Sequence, residues 1–431
     1  MYAGTAAVVL GLGKLHAANI GHYDFTGSAR FSWAIAYIGL LCAAAYGVGL
    51  PELPATPLQA FVSGMAAGAG AAVGMSVIQL ATGDALLPRY VVFLSAVAVL
   101  PVHLLSTALS AQATRRRAGR DRVIAVVGRT EATTLEVDLE MHPEHPAQLV
   151  STFMAEDVRG QSPDDQPLVR AVEQAAASVV VLDRTAQNDE AVVSQAALLH
   201  ERGVRVRTLA LFYDEWLGKL PVSELERMAL MFDIGEVHRA RYGRVKRQLD
   251  IAIALVAAPL LVLATPLVVA GNTVGNRGRL FYRQPRVGKG GRVFQIRKFR
   301  TMSADVGPSE WTREDDPRIT PFGRVLRRTH LDELPQVVNI LRGDIAVVGP
   351  RPEQPRYVEE LIEKIPFYGL RHLVRPGLTG WAQVKYPYGA DEIDALEKLQ
   401  YEFYYLRHQS LSLDLRIMGR TVRSVLGGGG R

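Results

Sequence analysis

The sequence predicts an α/β membrane protein with three parts: N-terminal transmembrane helices, a Rossmann-like parallel-sheet domain, and a C-terminal α+β domain that carries a re-entrant membrane helix. Three observations lead to this fold class. Long uncharged runs open the chain, short Val/Ile/Leu runs alternate with helical patterns in its middle, and a later apolar run is broken by prolines. The predicted boundaries are 1–114, 115–240 and 241–431.

Composition sets the broad class of the protein. The chain has 431 residues, of which 48% are hydrophobic, so more than one domain and some contact with lipid are expected. The net charge of +6 favours anionic lipids or phosphate-bearing partners, and no helix-turn-helix, RNA-binding or zinc signature points to nucleic acid. The single cysteine, Cys42, excludes an intramolecular disulfide, which fits soluble parts that face a reducing cytosol.

Uncharged stretches near the N-terminus are long enough to cross a bilayer core, which takes about 20 residues. They are Phe31–Leu50, Leu58–Gly83 and Tyr90–Thr114. The first twenty residues are also apolar, but Lys14 and His16 interrupt them, so three or four transmembrane helices remain open. The basic segment Arg115–Arg122 then places this end in the cytoplasm by the positive-inside rule.

The middle region changes to short apolar strands, starting at Val123 and continuing at Ser178–Asp183 and Val204–Leu211. Strands that alternate with helical patterns predict βαβ units around a parallel sheet, over about 120–238. The five residues after Gly128 include no glycine, so the close backbone approach that a pyrophosphate needs is not provided. A regulatory or assembly module is the alternative to dinucleotide binding.

A fourth apolar run, Ile251–Ala270, differs from the others. Pro259 and Pro266 interrupt it, and each removes a helical hydrogen bond. Basic residues flank both ends, whereas a spanning segment is expected to show charge asymmetry. We therefore expect a re-entrant helix over 248–272 that enters the membrane and turns back at a proline. An ordinary kinked spanning helix is the alternative.

Two adjacent carboxylates, Asp332 and Glu333, stand just before Pro335. A helix that begins near His330–Asp332 would hold this proline in its first turn, where a missing N–H is tolerated. Neighbours on a helix point about 100° apart, so the two carboxylates cannot do the same job. One can face a phosphorus centre as an ionised nucleophile, while the other turns to Mg²⁺ or to a structural arginine.

Three cations are candidates for phosphate contact. Alternation along a short strand puts Lys298 and Arg300 on one face, although a solvated basic edge strand would look the same. Arg351 lies between Pro350 and Pro352 and offers a planar fork with little freedom to lose. A loop arginine paired with a carboxylate at a helix start is the structural alternative.

Five motifs occur in a consistent order from residue 240 onward. They are KRQLD at 246–250, RKFRTM at 297–302, DPRITPFGRVLRRTHLDELPQ at 316–336, GDIAVVGPRP at 343–352 and RPGLTGWAQV at 375–384. This part resembles the bacterial sugar transferase family, the monotopic phosphoglycosyl transferases, and the whole chain resembles its long form. Residues 385–408 also resemble the exopolysaccharide subgroup that accompanies exosortase systems.

The resemblance implies a reaction and a place in the cell. A nucleophilic aspartate attacks the β-phosphate of a UDP-sugar, releases UMP and holds the sugar phosphate covalently until undecaprenyl phosphate accepts it, as the first membrane step of exopolysaccharide synthesis. The implied location is the bacterial inner membrane, with the catalytic domain on the cytoplasmic face. The family architecture leaves a homodimer open, and nothing in the spacing marks which sugar is transferred.

The same resemblance assigns roles to individual residues. Asp332 matches the nucleophile and Glu333 the acid associated with Mg²⁺. Arg351 and Lys298 match phosphate-contacting positions, and Pro266 matches the break of the re-entrant helix. Together with Arg300 and Arg318 they make up the phosphate-binding candidates, which are Lys298, Arg300, Arg318 and Arg351.

Some features depart from the family pattern or leave alternatives open. Thr265 stands before the breaking proline where a serine is common, and its hydroxyl should still reach a backbone carbonyl. Trp381, Tyr386 and Tyr388 are candidates for the headgroup level, with core packing as the alternative. A membrane-anchored scaffold or sensor with an inactive transferase domain is the rival function.

Overall fold

The computed structural model describes residues 1–51, 57–82, 86–117, 121–141, 147–160, 165–221, 236–275, 278–302, 318–386 and 392–426. The chain forms two compact units. The first contains Met1–Arg115, Val237–Ala390 and Gln409–Arg431, and the second contains Arg116–Glu236 and Asp391–His408.

Helices account for the N-terminal part of the first unit. They are Tyr2–His16, Ala29–Gly47, Pro57–Thr82, Arg89–Ala98 and Leu100–Arg117. The helices long and apolar enough to cross a membrane are Ala29–Gly47, Pro57–Leu80, Arg89–Ser110 and Tyr242–Thr273. The first three match the predicted stretches, so this expectation is confirmed at the level of length and composition. Tyr2–His16, at about 22 Å, is shorter than a hydrocarbon core of about 30 Å.

The last helix of the chain, Leu411–Leu426, packs against Ala29–Gly47 within the first unit. Glycines allow this close approach, because a Cβ at Gly419 would come within 1.7 Å of the carbonyl oxygen of Gly47. The last helix of the chain is therefore in direct contact with an N-terminal helix that is long and apolar enough to cross a membrane.

The second unit contains the predicted parallel sheet. Its strands are β1 (Asp121–Val126), β2 (Ala147–Phe153), β3 (Val179–Leu182) and β4 (Arg205–Thr208), in the order β2-β1-β3-β4. All neighbours are parallel, which confirms the parallel-sheet prediction. Alternate residues of β1 and β3 point into two different apolar clusters, so helices cover both faces. The helices of 129–217 are Arg129–Met141, Ala155–Val158, Pro167–Ala175, Arg184–Gln187, Glu190–Glu201, Leu209–Phe212 and the π-helix Tyr213–Leu217.

Helix Glu392–Arg407, which comes from the third part of the sequence, packs in this second unit. Lys219, almost fully buried, donates to Asp138 Oδ1 at 2.7 Å and to Glu397 Oε1 at 2.5 Å. This ion network ties the helix to the helix that follows β1. Removal of the lysine would leave two carboxylates without their cation.

A carboxylate lies at the carboxyl ends of β1 and β3, where open parallel sheets often bind ligands. Asp183 Oδ2 accepts from the Gly128 amide at 2.9 Å, and its Oδ1 accepts from Ala186 N at 2.7 Å. The amide that would face a phosphate in a nucleotide-binding loop is therefore already bound to a side-chain anion of this chain.

The fourth apolar run lies in a forty-residue helix, Glu236–Gly275, which continues through Pro259 and Pro266. Thr265 Oγ1 donates to Leu261 O at 2.7 Å, so the predicted hydroxyl-to-backbone bond is confirmed. Length and composition qualify this helix as a membrane span, and its re-entrant course stays a prediction.

The rest of the first unit consists of short strands and helices. The antiparallel hairpin is formed by β5 (Phe281–Val287) and β6 (Val293–Phe299), and the parallel pair by β7 (Ala346–Val348) and β8 (Gly377–Thr379). The α-helices are Pro321–Arg328, Val337–Arg342, Pro355–Lys364 and Trp381–Lys385, and the 3₁₀ helices are Lys289–Gly291, Leu331–Gln336 and Tyr368–Leu373. Trp381 is buried in this region, which fits the core-packing alternative, and Tyr388 lies outside the described residues.

The apolar helix supports these elements directly. Val268 belongs to one buried cluster with Phe299 of β6 and Leu326, and Leu331 and Leu334 pack against that cluster. These two leucines flank the Asp332–Glu333 pair. The carboxylates are therefore held beside the candidate membrane helix.

Candidate active site

Asp332 lies in the 3₁₀ helix Leu331–Gln336, which begins within the window that the sequence predicted. The chain enters this helix through His330, whose φ of 53° is left-handed. Pro335 has no N–H to donate to the Leu331 carbonyl, as an α-helix would require, and α-helical structure starts only at Val337. Within this 3₁₀ helix the Asp332 side chain is buried.

Burial dominates the chemistry of Asp332, which is 8% exposed. Loss of hydration raises its pKa to about 6, against the lowering effect of the Lys298 charge. The group is still mainly ionised near pH 7.5. A poorly hydrated carboxylate with this pKa is suited to act as a nucleophile.

Glu333 has the opposite environment. Burial opposes its ionisation, but the nearby charges of Lys298 and Arg351 outweigh it and lower its pKa to about 2. Lys298 Nζ donates to Glu333 Oε1 at 2.5 Å. Glu333 is therefore a fixed anion at neutral pH. The pKa values of the two adjacent carboxylates are thus pushed apart, which is the arrangement expected of two groups with separate roles.

The structure brings Lys298 to the carboxylates and gives each remaining candidate cation a different setting. Lys298 belongs to β6 and pairs across the hairpin with Tyr282. Arg300 follows the end of β6 and is buried, with its guanidinium packed against Gly278, where a Cβ would come within 2.5 Å of Nη1. Arg318 precedes Ile319, which forms an isolated bridge with Met302.

Arg351 lies in the loop after β7, close enough for its charge to act on Glu333. Sequence reasoning missed two arginines next to it, the half-buried Arg286 and the buried Arg371, which donate to the carbonyls of Pro352 and Arg351 respectively. The available signal for Arg286 was its position two residues before the glycine turn that starts at Gly288. Arg371 has no such signal, since its role arises from a contact between segments 20 residues apart in sequence.

His330 is a further residue that the sequence did not single out as a site residue. Its Nε2 is buried and has no hydrogen-bond partner among the described residues. Its charge, when protonated, favours ionisation of both carboxylates.

The carboxylates of this site can bind Mg²⁺ only together with substrate phosphates and water. No group of three or more His, Cys, Asp or Glu side chains within the described ranges could hold a metal ion by itself. Mg²⁺ is commonly bound by one or two carboxylates together with substrate phosphates and water. Glu333 suits that manner, because Lys298 occupies Oε1 and no described residue hydrogen-bonds to Oε2.

Comparison with known proteins gives a consistent result. The sequence profile named "Bacterial sugar transferase" matches residues 241–428. A UDP-glucose:undecaprenyl-phosphate glucose-1-phosphate transferase from Caulobacter vibrioides is 39% identical over 200 residues, which are 44% of this chain and 73% of that protein. A UDP-N-acetylgalactosamine-undecaprenyl-phosphate N-acetylgalactosaminephosphotransferase from Aeromonas hydrophila is 42% identical over 194 residues, 44% of this chain and 45% of the relative.

Similarity also extends beyond the C-terminal part. An undecaprenyl-phosphate glucose phosphotransferase from Komagataeibacter xylinus is 29% identical over 330 residues, 72% of this chain and 59% of that protein. The chain spans about half the length of the Aeromonas and Komagataeibacter relatives. On the profile match and on the coverage of the Caulobacter relative, this chain belongs to the bacterial sugar transferase family.

Proposed function

We propose that this protein transfers a sugar 1-phosphate from a UDP-sugar to undecaprenyl phosphate and releases UMP. The names of the relatives support the general reaction. The observation that carries the proposal is the pair of adjacent carboxylates, one buried with a pKa near 6 and the other held ionised by Lys298.

In the first step a carboxylate oxygen of Asp332 attacks the β-phosphorus of the UDP-sugar. A new O–P bond forms, and the bond from that phosphorus to the bridging oxygen breaks. UMP leaves with the bridging oxygen and its electron pair. The sugar phosphate stays on the protein as a mixed anhydride with Asp332, and no proton transfer is required.

In the second step a phosphate oxygen of undecaprenyl phosphate attacks the same phosphorus. The Asp332 carboxylate leaves, which restores the protein and gives a lipid diphosphate sugar. Lys298 and Arg351 suit the stabilisation of the phosphate oxygens during both displacements, since their charges already act on the carboxylate pair.

Mg²⁺ bound at Glu333 would supply neutralisation of the diphosphate charge. Glu333 is ready for that role because it is ionised at every pH in the working range. Lys298 orients its carboxylate through one oxygen and leaves the other uncommitted to any described residue.

The packing beneath the site suits a lipid acceptor. Leu331 and Leu334, on either side of the carboxylates, pack with the apolar helix Glu236–Gly275. An active site attached to this helix would lie near the depth of a lipid phosphate, and we propose that it faces the cytoplasm. A re-entrant course of the helix would keep both of its ends on that side.

The product nucleotide and the nucleophile test this proposal. Purified full-length protein with undecaprenyl phosphate, Mg²⁺ and a panel of UDP-sugars should release UMP, and rapid quenching should leave a phosphosugar on Asp332 detectable by mass spectrometry. Asp332→Asn should abolish UMP release, whereas Glu359→Gln, an exposed carboxylate of the helix Pro355–Lys364, should not. Release of UDP would identify a different transfer, and unchanged turnover by Asp332→Asn would exclude the proposed nucleophile.

A further inference from the structure

The loop that carries Arg351 has an unusually complete set of backbone contacts. Every carbonyl from Pro350 to Glu353 accepts a hydrogen bond. Their donors, in order, are Gly377 N at 2.8 Å, Arg371 Nη2 at 2.8 Å, Arg286 Nη1 at 2.9 Å and Val287 N at 2.9 Å. Four consecutive carbonyls that are all hydrogen-bonded restrict the rotation of this short backbone.

The two arginine donors are themselves held in place. Arg371 is 4% exposed and donates through Nη1 to the hydroxyl of buried Tyr368 at 2.7 Å. Arg286 donates through Nη2 to Gln284 Oε1 at 2.9 Å and lies 3.5 Å from Glu353 Oε2. A guanidinium is costly to remove from water, so the burial of Arg371 and the partial burial of Arg286 beside adjacent carbonyls indicate a purpose beyond filling space.

Arg351 differs from Arg286 and Arg371. Proline on each side restricts its backbone, and its guanidinium makes no hydrogen bond to any residue that the structure describes. Its charge nevertheless acts on Glu333. The loop therefore presents one uncommitted cation at the carboxylate pair from a backbone that other arginines have fixed.

We propose that Arg286 and Arg371 are positioning residues that hold the 350–353 loop so that Arg351 contacts the phosphate groups of the substrate. This inference rests on the proposed function. A fixed backbone matters because a long side chain separates the guanidinium of Arg351 from its Cα. Displacement of that Cα by about 1 Å can lower the rate about 100-fold.

A double-mutant cycle separates positioning from general stabilisation. Arg371→Met removes the hydrogen bonds to the Arg351 carbonyl and the Tyr368 hydroxyl and keeps the aliphatic stem. We expect it to lower the rate of UMP release about 10- to 100-fold in the otherwise unaltered protein, and by less than about 3-fold in an Arg351→Ala background. Arg286→Met should behave in the same way.

Arg247→Met is the matched control. Arg247 also donates to two backbone carbonyls, those of Ile340 at 2.6 Å and Leu341 at 2.8 Å, but away from the Arg351 loop. Arg247→Met should lower the rate of UMP release by the same factor in the presence and in the absence of the Arg351 side chain. An Arg371→Met effect that is likewise equal in both backgrounds would overturn the proposal.

A second measurement does not depend on turnover. Hydrogen exchange of the peptide 346–354 in full-length protein should rise in Arg371→Met and Arg286→Met, and stay unchanged in Arg247→Met. Unchanged exchange in both loop variants would refute positioning, even where Arg351→Ala is too slow to assay. Absence of UMP release from the unaltered protein would instead refute the proposed function and leave the exchange result as the test of the loop.

Discussion

Replacement of the proposed nucleophile by its neutral isostere should stabilise the protein while it abolishes activity. Asp332 is almost fully buried, and burial raises its pKa from 3.8 to about 6. The folded protein therefore binds this proton more tightly than the unfolded chain does. Ionisation of Asp332 costs stability above pH 6, and the cost disappears as the pH falls below 3.8.

The magnitude follows from the two pKa values. A difference of one in pKa corresponds to about 1.4 kcal/mol, so the ionised carboxylate costs about 3 kcal/mol at pH 7.5. At pH 5 the folded protein is largely protonated at this group, and the same relation gives about half of that cost. Asp332→Asn should recover most of each amount.

The assay is denaturant unfolding in detergent, at pH 7.5 and at pH 5, for the unaltered protein and the variant. The midpoint should move upward for Asp332→Asn, and the gain at pH 5 should be about half that at pH 7.5. Glu359→Gln, on the exposed face of its helix, should give no such gain. A destabilised Asp332→Asn variant, or a gain that does not change with pH, would refute the argument from burial.

Further predictions concern the site, the sheet unit and topology. Lys298→Met should raise the pKa of Asp332, because the lysine charge lowers it, and the acid limb of the kcat/KM profile should move above pH 6; an unmoved limb would contradict the assignment. Lys219→Met should destabilise the sheet unit by about 3 to 5 kcal/mol, since two carboxylates lose their buried cation. The surface pair of Lys364 is the control, and its loss should cost at most about 0.5 kcal/mol in the same urea titration. For the re-entrant helix, a cysteine in place of Arg279 should react with a membrane-impermeant thiol reagent only from the cytoplasmic side, and periplasmic labelling would establish a spanning helix instead.

Sequence patterns were sufficient where one physical property dominates. Uncharged runs of about 20 residues identified the helices that are long and apolar enough to cross a membrane, because a backbone in lipid must satisfy its own hydrogen bonds. Short β-branched runs identified the parallel sheet, since its strands are buried on both faces. The adjacency of Asp332 and Glu333 implied two roles, because neighbours on a helix cannot point the same way.

Other features depend on contacts between distant segments, which no local pattern records. The buried lysine that joins Asp138 to Glu397 links residues far apart in the chain, and the helix Glu392–Arg407 packs with the sheet unit although it lies within the transferase region of the sequence. The hydrogen bond from the Gly128 amide to the Asp183 carboxylate also joins residues that are far apart in the sequence.

The sequence by itself determined which residues can carry the chemistry: two carboxylates, a strand lysine and an arginine between prolines. Only the tertiary structure decided their electrostatic states. Burial raises the pKa of Asp332, while Lys298 and Arg351 lower that of Glu333, because hydration and charge are properties of the space around a side chain and not of its position in the chain.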